Sequence, residues 1–321
     1  MVGFGAVSPK SCRSEDLGDD GLRPSANCAR TRGESGCDRH VVAVANRLSR
    51  EQRGLAVGAA VRAALRQNRL LFAFQPVVCA ATGKVDYFEC LLRMRDEDGS
   101  IISGGEFLTI VEELGWIGVI DRYVLKKTVQ DLAADPEVRL GFNISGMTAG
   151  DRRWLRSLTA LLGHRRDLAC RLVIEITETA ALGDIAESVR FVDTLRHAGC
   201  RVALDDFGAG HTSLRHLQNL PVDIVKIDGS LVRNLTSRPQ TRIFLRHLLG
   251  LINGLGLTTV AECVENAEDA ALLRAEGVGY LQGHHFGRPT IGRAACLDRQ
   301  SRKHMAARFG LRESRSATIP S

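Results

Sequence analysis

No window of this chain approaches the roughly 18 consecutive apolar residues that a membrane-crossing helix needs. The N-terminus also lacks a basic stretch leading into an apolar region and a small-residue cleavage site. A protein that is neither exported nor membrane-spanning is the expectation. Nor do the nine cysteines, at positions 12, 28, 37, 79, 90, 170, 200, 263 and 296, contain a CxxC pair or a Cys/His ligand spacing. An odd, scattered set argues against a zinc ribbon or a disulfide framework and for a reducing, cytoplasmic setting. Cys90 and Cys200 lie in or beside apolar runs, where a free thiol behaves as a small buried hydrophobe. A one-signed charge excess is missing from the middle of the chain as well. Residues 57–290 carry 27 basic and 28 acidic side chains, whereas residues 1–56 carry 9 and 7 and residues 291–321 carry 7 and 2. The net charge of +6 therefore sits in the ends, and no duplex nucleic-acid partner is expected.

What the chain does have is the material of a soluble globular core, with 44% hydrophobic and 25% charged residues over 321 positions. That length suits one (β/α) barrel with tails, since such barrels run to about 250 residues. Residues 1 to 40 are rich in Gly, Ser, Asp and Arg without periodicity, too little apolar material to offset chain entropy. From residue 54 the spaced apolar positions of GLAVGAAVRAALRQNR predict an amphipathic helix entering the fold. The expected organisation is a disordered leader over 1–55, a barrel domain over 56–292 and a basic tail over 293–321.

Within the barrel segment, β-rich runs at 71–78, 84–94, 139–145, 171–177, 201–206, 222–228, 257–264 and 279–283 alternate with amphipathic windows such as 183–198 and 266–276. Such alternation predicts parallel strands joined by crossover helices. Only ATGK separates the first two runs, which predicts an antiparallel hairpin there. The fold class expected is an α/β, TIM-like (β/α)8 barrel with one antiparallel strand.

The far ends of these runs carry the chemistry: Glu89 after VDYF, Asn143 after RLGF, Glu175 after RLVI, Asp205 and Asp206 after RVAL, Lys226 and Asp228 in VDIVKID, Glu262 after LTTVA, and Gln282 after GYL. In a parallel barrel these ends converge on one face. Clustered carboxylates disfavour their mutual ionisation, so divalent cations are physically implied. All-oxygen donors without His or Cys suit Mg²⁺ or Mn²⁺ rather than zinc. Two ions ~3.5–4 Å apart can clamp the attacking and leaving oxygens of a phosphodiester, with Asp205 as the natural bridge. Taken singly, each residue has a plainer explanation: a helix cap for Glu175, a surface ion pair for Lys226 and Asp228, a tight turn for the glycines of DDFGAG. It is the coincidence at every strand end that favours a site.

The segments FQPVV, ECLLR, FNIS, EITET, DDFGAGHTSL, DIVKIDGSLV, AECVE and YLQGHHFGRP, in this order, resemble the EAL domain family over about residues 57–290. That resemblance implies a metal-dependent phosphodiesterase that hydrolyses cyclic di-GMP to linear pGpG. It implies that Glu89, Asn143, Glu175 and Asp205 hold one metal and that Asp206 and Glu262 serve a second. Lys226 would hold the nucleophilic water, with Gln282 positioned around it, and Glu89 and Glu262 would share the catalytic work. Arg93 would meet a substrate phosphate, Gln75 would contact substrate at the mouth, Asp228 would join the metal-site network and Glu178 would anchor the loop at 207–214. A homodimer through the region after that loop is implied too. The chain departs from the family pattern at Cys90, Met94 and Cys263, which stand for alanine, tryptophan and glycine, and at Ala209 and His211, which stand for threonine and an aromatic. No GGDEF-like segment accompanies the barrel. Alternative readings are an EAL-type barrel that binds the dinucleotide or a protein partner without turnover, against which the complete ligand set argues, and an enolase-type lyase, which leaves KID and DDFG unexplained.

Overall fold

In the computed structural model, residues 50–181, 185–209 and 214–293 are described. Most of the expected leader and tail, and positions 210–213 of the loop, lie outside them. The strands are β1 (Leu70–Cys79), β2 (Val85–Arg95), β3 (Ile101–Ser103), β4 (Leu140–Ile144), β5 (Leu172–Thr177), β6 (Arg201–Phe207), β7 (Ile224–Ile227), β8 (Thr258–Ala261), β9 (Tyr280–Gln282) and β10 (Thr290–Ile291). The main helices are α1 (Arg50–Arg66), α2 (Gly104–Glu113), α3 (Ile117–Ala134), α4 (Arg152–Leu162), α5 (Ile185–His197), α6 (Leu214–Asn219), α7 (Pro239–Gly254) and α8 (Ala267–Ala275). No helix among the described residues is long and apolar enough to cross a membrane.

Every one of the eight expected strands is present, and they close into a barrel. β2 and β4 to β9 run parallel in sequence order, while β1 pairs antiparallel with both β2 and β9 to seal the seam. The short β3 and β10 were not expected. They extend β2 and β1 by pairs of three and two residues, runs too short to carry a periodic signal.

Alternation explains the packing. Outward residues such as Phe88, Phe142, Ile174, Leu204, Val225 and Ala261 meet the helices in the large outer core. Inward, Val77, Tyr87, Val173, Ala203, Ile224 and Val260 form a separate apolar floor inside the barrel. Two residues further toward the mouth, each strand turns its next inward side chain to the same level. That layer comprises Gln75, Glu89, Asn143, Glu175, Asp205, Lys226, Glu262 and Gln282, so the period of two that fills the floor also builds the polar ring above it. The helices close the outside with local signals. Asp151 caps α4 by accepting from Arg153 N at 2.7 Å, and that helix buries Trp154 against Phe142 and Phe191.

Candidate functional site

Lys226 lies at the centre of the polar ring with no exposed surface. Its Nζ stands 2.6 Å from Glu175, 2.8 Å from Glu262, 3.1 Å from Asp205 and 3.6 Å from Glu89. One ammonium thus faces four carboxylates delivered by four strands. Burial opposes its charge, but Asp205, Glu175, Glu262 and Glu89 outweigh that and hold its pKa well above the usual lysine range. The reverse holds for the acids. Burial raises Glu175 and Asp205 above the carboxylate range and pushes Glu262 up to about 8, although Lys226 pulls each down.

Asp205 and Asp206 are consecutive, so simple alternation would send them to opposite faces of β6. The strand solves this with a register shift between Leu204 and Phe207 and with Asp206 at φ 57°. The extra residue is a bulge, and beyond it Phe207 is again outward, in the outer core. Carboxylate oxygens of Asp205, Asp206 and Glu262 consequently lie within 4.8 Å of one another, a group that can hold a metal ion. The donor set of the site fits such an ion. A single lysine leaves the acids short of positive charge, and Asn143 Oδ1 and Gln282 Oε1 are buried with no hydrogen-bond partner. Hard oxygen donors in that condition match a divalent cation.

The remaining expected residues are placed as follows. Asn143 donates to Glu89 Oε1 at 2.7 Å, and Gln282 donates to Glu89 Oε2 and, at 3.3 Å, to Gln75. Gln75 also donates to the Gly287 carbonyl at 3.2 Å across the mouth. Glu178 accepts from Gly208 N at 3.4 Å, joining the end of β5 to the segment after Asp206. Asp228 accepts from Ser230 N at 2.8 Å and caps the turn after β7. Arg93 is half-buried beside the ring and lines a cavity of about 310 Å³ with Asn143, Ser145, Glu112 and Asp121. Asp121 accepts from Ser145 N at 3.1 Å, Ser145 Oγ donates to Glu112, and burial pushes the Asp121 carboxyl up to about 6. Neither this cavity nor Tyr87, whose hydroxyl meets Glu175, was read from the sequence. The signal for Tyr87 was available, since it sits two residues before Glu89 and is therefore inward.

Of the departures, Cys90 and Met94 point into the outer core, buried and away from the ring. Cys263 is different. It adopts φ 53°, a left-handed conformation that costs a residue with Cβ about 1–2 kcal/mol. Arg233 Nη2 donates to its sulfur at 3.0 Å. Cys263→Gly is expected to raise stability by about 1 kcal/mol, read as a higher midpoint in thermal melts. A lower midpoint in that variant would sink this account of the position.

A family signature described as EAL domain matches residues 59–289. Among curated proteins the chain is 33% identical over 230 residues to cyclic di-GMP phosphodiesterase PdeF of Escherichia coli, covering 70% of this chain and 30% of that protein. It is 29% identical over 234 residues to cyclic di-GMP phosphodiesterase NbdA of Pseudomonas aeruginosa, covering 71% and 30%. The chain thus spans less than a third of the length of these relatives. Among solved structures it is similar to the PaMucR phosphodiesterase in a c-di-GMP complex, at 27% identity and TM-score 0.69, covering 74% of this chain and 99% of that one. The FimX EAL domain of Pseudomonas aeruginosa bound to c-di-GMP matches at the same identity and TM-score, covering 74% and 97%.

Proposed function

Because the chain belongs to the EAL domain family, we propose that it is a metal-dependent phosphodiesterase that hydrolyses cyclic di-GMP to linear pGpG. The observation that carries this reading is the ring itself: four carboxylates around one buried lysine, with two buried amide oxygens left unpartnered beside them. Such a site is built for cations and for a phosphate, not for an apolar ligand.

In this reading Glu89, Asn143, Glu175 and Asp205 hold one ion and Asp206 and Glu262 contribute to a second, Mg²⁺ or Mn²⁺ in each case. When bound, the ions supply positive charge to the phosphodiester and lower the pKa of the attacking water. Lys226 donates hydrogen bonds to that water, and Gln282 fixes its orientation from β9. Arg93, in the wall of the 310 Å³ cavity, meets a phosphate oxygen as a cation that never loses its proton. The cavity beyond it suits a guanine, whose N1–H and amino group are donors and whose nearest acceptors would be the carboxylates of Asp121 and Glu112. Gln75 contacts the substrate at the rim. Asp228 stiffens the turn after Lys226, and Glu178 anchors the segment after Asp206. One water adds across one phosphodiester, one P–O bond breaks, and the ring opens to pGpG.

A cytoplasmic location belongs to the proposal and is supported by the free state of Cys79, Cys90, Cys170, Cys200 and Cys263. So does a homodimer through the region after the 207–214 loop, which sedimentation velocity tests directly.

Incubating the purified chain with cyclic di-GMP and Mg²⁺ or Mn²⁺ and separating the products by chromatography tests the reaction. Linear pGpG is the expected product. Nucleotide binding without product would replace this reading with that of a dinucleotide receptor.

A further inference from the structure

We propose that Tyr87 is a positioning residue for Glu175, fixing the plane of that carboxylate from beneath the ring, and that Gly141 provides the space it needs. The inference rests on the reading of Glu175 as a metal-holding residue and adds to it a residue that acts from the floor.

Tyr87 stands inward on β2, one alternation step below Glu89, and is 1% exposed. Its hydroxyl donates to Glu175 Oε1 at 3.3 Å, while Lys226 donates to the other oxygen, Oε2, at 2.6 Å. Among the described residues these are the two donors to Glu175. They differ in what they can do. Lys226 holds Oε2 but also faces Glu89, Asp205 and Glu262, so its charge is shared among four acids. The Tyr87 hydroxyl, carried on a rigid ring, faces one oxygen of one acid. The other buried members of the floor, Val77, Val173, Ala203, Ile224 and Val260, offer no hydroxyl, and the half-buried Tyr280 packs against them.

Gly141, on the neighbouring β4, makes this arrangement possible. A Cβ built there would lie 2.8 Å from Tyr87 Cε2 and 2.8 Å from Glu175 Oε1. Any larger residue would therefore press on both members of the hydrogen bond at once. Gly141 has an ordinary strand conformation, absent from the positions with positive φ, so it is the missing side chain and not backbone freedom that matters.

The test is a calorimetric Mn²⁺ titration of the metal-stripped protein, with thermal melts in EDTA as the check on folding. Tyr87→Phe keeps the ring and removes only the donor. It is expected to melt close to the wild type and to raise the Mn²⁺ dissociation constant roughly tenfold, the scale of losing a hydrogen bond to a metal-holding side chain. Half-maximal turnover should need about tenfold more metal, with a smaller loss at saturating metal. Gly141→Ala, which crowds the same two groups, should weaken Mn²⁺ binding in the same direction and serves should the phenylalanine variant misfold. Unchanged Mn²⁺ affinity in folded Tyr87→Phe overturns the role of Tyr87 while leaving the metal site standing. A wild-type protein that takes up no Mn²⁺ overturns the metal reading itself, and this role with it.

Discussion

Asp205→Asn is expected to abolish measurable turnover of cyclic di-GMP, a loss of at least about a thousandfold, the scale of removing one charge-stabilising group from a dry site. The substitution keeps the shape of the side chain and deletes its charge where Asp205 and Asp206 of β6 and Glu262 after β8 bring three carboxylates within 4.8 Å. The same change should not weaken the fold. Burial already raises the Asp205 carboxyl above its ordinary range, so the ionised form is the one the folded protein disfavours. A neutral amide there relieves like-charge crowding among Asp205, Glu262 and Glu89. The expected signature is a divergence: a melting midpoint in EDTA equal to or above that of the wild type, with Mn²⁺ uptake and pGpG formation both lost. A variant that still produces pGpG at the wild-type rate would remove Asp205 from the metal site.

Lys226→Met should act in the opposite sense, on the fold as much as on the chemistry. The ammonium is wholly buried among Glu89, Glu175, Asp205 and Glu262, and removing one partner of a buried ionic cluster costs about 3–5 kcal/mol. For a domain of this size that is a fall in melting midpoint of roughly 10 °C. The loss should depend on pH in a definite direction. Glu262 has a folded pKa of about 8, above the value near 4.3 of an unfolded glutamate. Between those values the folded state binds more protons than the unfolded one, so stability falls as pH rises. Without the lysine that tendency strengthens, because nothing then opposes the burial of the acids. The deficit of Lys226→Met relative to wild type should be smallest near pH 5 and widest near pH 8. Equal deficits at both ends would show that the lysine is not the counter-charge of the ring.

Most of the barrel was legible because its strands carry two signals that coincide. Runs such as RLVIEIT and RVALDD are β-branched and apolar, and each ends on a polar residue at an inward phase. Glu175, Lys226 and Glu262 could therefore be placed at one mouth by counting in twos. The parts that escaped are those where local backbone conformation overrides counting. Alternation sends Asp206 outward, and only the bulge with its positive φ returns it to Asp205. Nothing in AECVE reveals that Cys263 adopts a left-handed conformation. The pairs that form β3 and β10 depend on neighbours already in place. Tyr87 escaped for another reason: it reads as one more aromatic in a buried strand until Gly141, 54 positions away, is seen to leave its space open.

The reversed direction of β1 has a mechanical consequence. In a barrel of parallel strands only, the chain enters at the floor, a full strand length from the chemistry. Here it enters at the rim, and Gln75 on the polar ring follows the last residue of α1, Arg66, by nine positions. That helix is not loose: Arg62 stacks over Trp116 at 4.1 Å, and Gly58 sits close against Leu114 and Trp116. α1 is thus docked against the α2–α3 corner, and the short connection that leaves it leads into β1, which carries Gln75 of the polar ring. The other face of α1 places Val57, Val61 and Ala64 in the outer core, so the element that leads into the mouth is fixed to the barrel wall as well.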